Sequence, residues 1–356
     1  MKEYKILTIN LGSTSTKIAV YNNDKENFTV SINHSINEIS NYDSIWDQYE
    51  FRKEKILNEL EKRNISLKDM DCISSRGGTI KPIVGGIYLI SLEMIDDAQS
   101  GKYGYHVCSL GMLIAMQLGK KYNIPAITVD PPAIDELCNY ARYTGLPEIN
   151  RKSSFHSLNQ KATARKTAKD LGEKYEDVNL IVCHLGGGIS VAAHRKGKVI
   201  DVNNALDGEG PMSPERAGTI PAGDLVKMCF SGKYNQEEML LKLNGKGGLI
   251  AHLGTTSGLE IVQRIENGDS KAKEIFETMA YQISKQIGSC ASALSGDVDA
   301  IVLTGSLSYS ERLVKIIKER TKFIANIMVY PGENEMKSLA EGALRYLRGY
   351  EKIREY

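Results

Sequence analysis

The sequence predicts an α/β protein of two related lobes with mixed sheets, and three observations carry that expectation. The stretch 6–20, ILTINLGSTSTKIAV, reads as an apolar strand, a turn of small polar residues and a second apolar strand. A second glycine-rich turn, His184-Leu185-Gly186-Gly187-Gly188-Ile189-Ser190, is flanked in the same way. Leu11 matches Leu185, Gly12 matches Gly186, Thr16 aligns with Ser190 and Ala19 matches Ala193, at one constant offset of about half the chain. After each of these strand clusters, strands and helices alternate.

Taken in order, 28–34 continues the first meander as a third strand. Helical spacing of Ile45, Tyr49, Ile56, Leu57 and Leu60 predicts a helix over 42–62, and 71–75 is a short strand ending at Arg76-Gly77-Gly78. Pro82, Gly85 and Gly86 make 81–88 a loop. A helix over 109–122 leads to the strand 126–129, which delivers Asp130, and Pro131-Pro132 is expected to open a helix. The stretch 145–150 reads as a hinge, which puts the lobes at 1–151 and 152–332. A helix over 155–171 precedes the second glycine turn. The polar loop 201–222 is rich in proline and glycine, as functional loops are. Helices at 223–230, 236–243, 259–267 and 271–294 lead to a strand at 300–303 that ends at Thr304-Gly305-Ser306. A helix at 309–320, a strand at 323–329 and a final helix at 336–349 complete the pattern.

The 356 residues suffice for two domains of ordinary size. Charged residues are 25% and the net charge is +1, a balance that gives no nucleic-acid or anionic-membrane partner. The six cysteines are scattered without a C-x-x-C, which argues against zinc or a disulfide framework and for a reducing cytoplasm. Thr8 and Asn10 break the N-terminal apolar run, so no signal peptide is expected, and no apolar stretch reaches the ~20 residues of a spanning helix.

Both glycine turns offer backbone N–H groups and hydroxyls, which is phosphate-binding chemistry, although an ordinary hairpin turn has the same composition. Gly12 allows close approach of a ligand and Lys17 adds a point charge. Two such turns facing one another suit a polyphosphate held from both ends. Open α/β sheets bind ligands at strand C-termini, where Asn10, Arg76, Asp130, His184 and Thr304 all fall. Arg76 and Arg216 are suited to bidentate anion binding, against the alternatives of a surface arginine and a local pair with Glu215. Asp130 orients an arginine, meets Mg²⁺ through water, or caps a helix at Pro131. His156 follows Phe155. His184 is either a phosphate donor or a satisfied core histidine. His106, ahead of the 109–122 helix, is placed to line a pocket. Glu333 and Glu335 are either Mg²⁺ ligands or acidic residues favouring the N-terminus of the last helix.

Together, INLGSTSTKIAV, SSRGG-x-x-KPI-x-GG-x-Y, ITVDPPAIDEL, SSFHSLNQKATAR, CHLGGGIS, DGEGPMSPERAGTIP, IVLTGS and YPGENEM resemble the acetate and butyrate kinase family of the actin, Hsp70 and sugar-kinase superfamily, nearest its butyrate kinase branch. The resemblance implies two lobes of the actin-like ATPase (ribonuclease H-like) type with a nucleotide cleft between them, the C-terminal helix 336–356 joining the first. It implies reversible transfer of phosphate from ATP to a short-chain carboxylic acid, butyrate or alternatively isobutyrate, with acyl phosphate as product and Mg²⁺ as cofactor. It also implies a homo-oligomer, a dimer or larger. It places Asn10, Gly12, Ser13, Ser15 and Lys17 at one phosphate turn, with Asn10 near Mg²⁺. His184, Gly186, Gly187 and Gly188 fall at the other turn, Gly305 and Ser306 beside the adenosine, and one of Glu333 and Glu335 on the metal. Arg76 and Arg216 then hold the acyl carboxylate and the phosphoryl group, Asp130 lies near the reacting groups, and His156 donates to the phosphoryl group. Acetate kinases carry asparagine where this chain has Gly187, so that contact passes to the backbone. They also have a proline walling the acyl pocket in the region that here reads Ala205-Leu206-Asp207-Gly208-Glu209-Gly210. Two rival readings keep the nucleotide and give up the acyl acceptor. A non-catalytic ATP-driven member has no use for Arg76, Asp130, His156 and Arg216 together, and a sugar kinase needs a base such as aspartate.

Overall fold

The computed structural model describes residues 2–356. Its strands are β1 (Lys5–Gly12), β2 (Ser15–Asn22), β3 (Lys25–Asn33), β4 (Cys72–Ser75), β5 (Ile87–Leu89), β6 (Ala126–Val129), β7 (Asn179–Leu185), β8 (Ile189–Arg195), β9 (Lys198–Val202), β10 (Ala300–Gly305), β11 (Ile327–Pro331) and β12 (Ile353–Arg354). The chain packs as two units, Met1–Ile134 with Asn334–Tyr356, and Asp135–Glu333. The sequence reading puts the division at residue 151, inside the second of these.

In the first unit a seven-stranded sheet runs β12-β5-β6-β4-β1-β2-β3. β1, β2 and β3 form an antiparallel meander, and β4 and β6 add in parallel beside β1. β1 and β4 are almost wholly buried because both faces are covered, which is why they read as apolar runs rather than alternating ones. Leu110 and Ile114 of the helix Cys108–Tyr122 share a core with Leu7, Ile9 and Ile73. The helix Glu335–Leu347 packs on β1, β4 and β6, and Gly342 lets it settle on Val129, whose side chain would lie 2.6 Å from an added Cβ. β12 then pairs with β5.

The second unit repeats the plan in a five-stranded sheet, β11-β10-β7-β8-β9. Again an antiparallel meander (β7, β8, β9) is followed by two parallel strands, β10 and β11. Ile181, Cys183 and Val191 face Phe276 and Ile283 of the long helix Ser270–Ala293. Leu180 and Val182 pack on Ala164 and Ala168 of the helix Ser157–Asp170. The order meander-then-parallel, common to both sheets, is the internal repeat expected from the two glycine turns. The turns themselves differ. Gly12 pairs with Ser15 around Ser13-Thr14, whereas Leu185 pairs with Ile189 around the longer loop of three glycines.

Several sequence expectations need correction. No helix opens at Pro131-Pro132. Asp130 takes a left-handed φ of 40° and the chain turns to bridge Ile134 to Ile83. The 81–88 loop already enters β5 at Ile87. The strand expected at 323–329 begins only at Ile327, since the preceding helix (Glu311–Thr321) ends in a turn that leaves Phe323 exposed. The helix Leu92–Ser100 was not foreseen, although Ser91 caps it and Gly101 ends it in the left-handed region.

Candidate active site

In the first unit, β1 and β4 run parallel, so their C-terminal ends share one edge of the sheet. There Asn10 Nδ2 donates to Glu335 Oε2 at 2.6 Å. Arg76 Nη1 pairs with Glu335 Oε1 at 3.2 Å, and its backbone N–H is fixed on the Ile9 carbonyl. Gly77 and Gly78 are required for that placement. An added Cβ would stand 2.2 Å from Pro131 Cβ at the first and 2.1 Å from Ser109 Oγ at the second. His106 and Cys108 lie within the field of the same arginine and glutamate. Burial lowers the His106 pKa, with Arg76 adding to the shift, and pushes the Cys108 thiol up to about 11. Asp130 is fully buried, and its carboxylate accepts the Gly86 N–H at 2.9 Å rather than capping a helix.

The first turn is braced from behind by Arg52, which the sequence reading missed. This arginine is fully buried on the helix Tyr49–Glu61. Its guanidinium donates to the carbonyls of Gly12, Ser13 and Ser15 at 2.8–3.0 Å and to Gln48 Oε1 at 2.9 Å. Burial lowers its pKa to about 10. Ser13 itself is exposed, while Gly12, Ser15 and Lys17 are partly so. Lys17 pairs with Asn10 across the strands, which puts the two side chains on one face.

In the second unit, His184 occupies the position that corresponds to Asn10. It is 2% exposed, with Nδ1 2.8 Å from Asn159 Oδ1 and Nε2 3.1 Å from Glu333 Oε1. His156, at the start of the helix Ser157–Asp170, stacks on it with ring centroids 3.7 Å apart and planes 8° from parallel. His156 Nδ1 is 2.8 Å from Ser190 Oγ. The core alternative for His184 is thus half right, since the ring is buried yet addressed by a half-exposed carboxylate. Arg216 lies across the glycine loop, and a Cβ on Gly188 would stand 1.7 Å from its Nη1. Nη1 donates to the Ala205 carbonyl at 2.6 Å and Nε to Asn244 Oδ1 at 3.1 Å. Burial lowers its pKa, against the charge of Glu215. Ser213 Oγ donates to the Gly187 carbonyl at 2.6 Å, turning that carbonyl to the protein side. Gly305 takes a φ of 89°, and a Cβ there would meet the Leu185 carbonyl oxygen at 2.4 Å, while Ser306 stays exposed. Thr304 donates instead to the Gly332 carbonyl.

Glu333 and Glu335, which the sequence could not tell apart, are therefore distinct. Glu333 belongs to His184 in the second unit, and Glu335 to Asn10 and Arg76 in the first. Among the described residues no three His, Cys, Asp and Glu side chains form a ready-made metal cage, and no helix is long and apolar enough to cross a membrane.

The acetokinase family model matches residues 139–330. Butyrate kinase 1 and butyrate kinase 2 of Clostridium acetobutylicum are 49% and 48% identical to the chain, each over 99% of both sequences. A probable butyrate kinase of Clostridium botulinum is 50% identical over 99% of both. Among solved structures, an acetate kinase of Porphyromonas gingivalis superimposes with a TM-score of 0.78 at 19% identity, covering 97% of this chain and all of that one. A propionate kinase of Francisella tularensis gives 0.73 at 20% identity, covering 95% and 98%. Those structures share the fold, the actin-like ATPase type. By sequence along its whole length, the chain belongs to the acetokinase family.

Proposed function

We propose that this chain transfers the γ-phosphoryl group of ATP to the carboxylate of butyrate, and runs in reverse to make ATP from butyryl phosphate and ADP. The observation that carries the reading is the pair of glycine-seated arginines, Arg76 and Arg216, each beside a glycine turn. The two butyrate kinases of Clostridium acetobutylicum, close in sequence over the full chain, support butyrate as the acid.

The reaction brings an anionic nucleophile to an anionic phosphate, so the protein's task is to position both and to neutralise charge on the transferring oxygens. In this reading Arg76 and Arg216 hold the acyl carboxylate and the phosphoryl group, and His156 donates to a phosphoryl oxygen. Asn10, Gly12, Ser13, Ser15 and Lys17 receive phosphate at one turn. His184, Gly186, Gly187 and Gly188 receive it at the other, and Gly305 and Ser306 border the adenosine. Asp130, whose carboxylate accepts the Gly86 N–H, lies near the metal and the reacting groups in this reading. No general base is required, because a carboxylic acid is already ionised at pH 7. In this reading a small residue in the region of Ala205, which is buried and bonded through its carbonyl to Arg216, suits an acyl chain longer than acetate.

Mg²⁺ belongs to the reading. It takes oxygen donors, keeps several waters and needs only one or two carboxylates beside the phosphates. One of Glu333 and Glu335 would hold it: in the first unit Glu335 lies against Asn10, whose amide oxygen is a further donor, and in the second Glu333 offers a half-exposed carboxylate, so either donor fits. The bound ion supplies further neutralisation of phosphate charge. A cytoplasmic setting suits the six unpaired cysteines. Self-association has apolar surface available in Val226 and Phe230, 54% and 87% exposed.

The test is acyl phosphate trapping with hydroxylamine, using ATP, Mg²⁺ and, separately, acetate, propionate, butyrate, isobutyrate and valerate. Hydroxamate should peak at butyrate, with neighbours overlapping because one methylene is worth only ~1–3 kcal/mol. A peak at isobutyrate keeps the chemistry and changes the acid. No hydroxamate from any acid, with ATP still bound, overturns the reading.

A further inference from the structure

We propose that Gln160 and Ser190 are positioning residues that hold His156 as the neutral ring with its proton on Nε2, poised to donate. The tautomer stands on geometry alone, while its use toward a phosphoryl oxygen rests on the function proposed above. The assignment starts from one backbone carbonyl. One end of the fully buried Gln160 amide lies 3.0 Å from the Ser190 carbonyl. A carbonyl only accepts, so that end is the NH₂ group. The other end is therefore Oε1, and His194 Nε2, 3.0 Å from it, must carry a hydrogen. His194 Nδ1 closes the chain on the Tyr175 hydroxyl at 2.8 Å.

The Gln160 NH₂ group also reaches Ser190 Oγ at 2.8 Å and donates to it. The backbone N–H of His156 points at the same oxygen from 3.5 Å. A hydroxyl oxygen has two lone pairs, and both are now engaged. The Ser190 O–H must then donate, and the acceptor 2.8 Å away is His156 Nδ1. A ring nitrogen that accepts has no proton of its own, so the neutral imidazole carries it on Nε2. Gln160, Ser190 and His194 are fully shielded from solvent and Tyr175 is 4% exposed, so water does not compete for these bonds. The sequence offered no sign of this. Gln160 looks like any polar residue of an amphipathic helix, and Ser190 like one more small residue of a glycine turn.

The decisive experiment is ¹⁵N NMR of ring-labelled histidine in the whole protein without substrate. It is run at about pH 8.5, well above the ordinary histidine pKa of about 6.5. The His156 signals are assigned by their loss in His156→Asn. Wild type should show an unprotonated Nδ1 and a protonated Nε2. In Ser190→Ala and Gln160→Met both signals should move toward the average of the two tautomers. A protonated Nδ1 in wild type, or coincident spectra in wild type and Ser190→Ala, overturns the proposal. The wild-type spectrum alone decides if a variant fails to fold. Because no turnover is involved, the result stands apart from whether butyrate is phosphorylated. With the assay above, Ser190→Ala should lower kcat about tenfold or more at little change in KM, and Ser190→Thr, which keeps the hydroxyl, should recover most of it. A loss confined to KM assigns Ser190 to binding and overturns the positioning role.

Discussion

Gly188 owes its place to Arg216. The atoms an added methyl would strike are the far end of a flexible side chain, so Gly188→Ala should displace the guanidinium and spare the fold. Turnover is expected to fall by about 10²-fold or more, as in Arg216→Ala and Arg76→Ala, with the melting temperature within a few degrees of wild type. Hydroxamate formation and a thermal melt check the two halves, and wild-type turnover in Gly188→Ala would separate the glycine from the arginine. Cysteine chemistry gives a second residue-scale prediction. Burial raises the pKa of Cys72, Cys108, Cys183 and Cys290, whereas Cys229 is exposed. A thiolate is the reactive form. Titration of the native protein with a disulfide reagent at neutral pH should therefore show a fast phase from Cys229, lost in Cys229→Ser, with the four buried thiols reacting only on denaturation. The sequence marked Gly188 and Arg216 separately, each by local composition. That one fills the space left by the other is a tertiary fact, set by the path of the 203–221 loop, and no local pattern encodes it.

At the scale of elements, the first hairpin turn shows how a loop of small residues is kept in one shape. Arg52 draws three of its carbonyls inward, which leaves the opposite side of the turn to present donors. Removing it strands those buried acceptors. Arg52→Met should cost about 3 kcal/mol or more in a urea titration and raise KM for ATP more than it lowers kcat. An unchanged KM with lost stability would make the brace structural only. Arg52 was illegible because it sits in Phe51-Arg52-Lys53-Glu54-Lys55, where a charged residue reads as a solvated helix face. Most regular elements with strong periodicity were legible to within a residue or two, as with Gln236–Leu243, although the helix expected over 42–62 begins only at Tyr49, after a short 3-10 turn. Where two signals competed, the local one failed. Proline at Pro131 favoured a helix start, but the left-handed Asp130 and the bridge from Ile83 to Ile134 impose a turn.

For the whole molecule, two histidines set a pH dependence. Burial lowers the pKa of His34 and of His106, with Arg52 and Arg76 respectively adding to it, and the nearby Glu38 and Glu335 opposing. The folded protein then prefers these rings neutral, and the unfolded chain binds more protons below the ordinary value of about 6.5. Their stability is thus complete above that pH and is lost as pH falls below it. Urea midpoints should drop between about pH 7.5 and pH 5.5, and drop less in His34→Asn/His106→Gln. Equal slopes would remove these two rings from the account. The internal repeat was visible in the sequence from two glycine turns, but the common strand order of the two sheets was not, since parallel neighbours such as β7 and β10 lie far apart in the chain. The first unit is also discontinuous, made from the two extremities of the polypeptide with Asp135–Glu333 set between them. During synthesis at about 5–20 residues per second, β1 and β4 are complete for about 14–54 s before the helix that covers them has been translated. In that interval the exposed face of the nascent β1 and β4 is a surface for chaperones to guard, while the inserted unit is free to finish folding first.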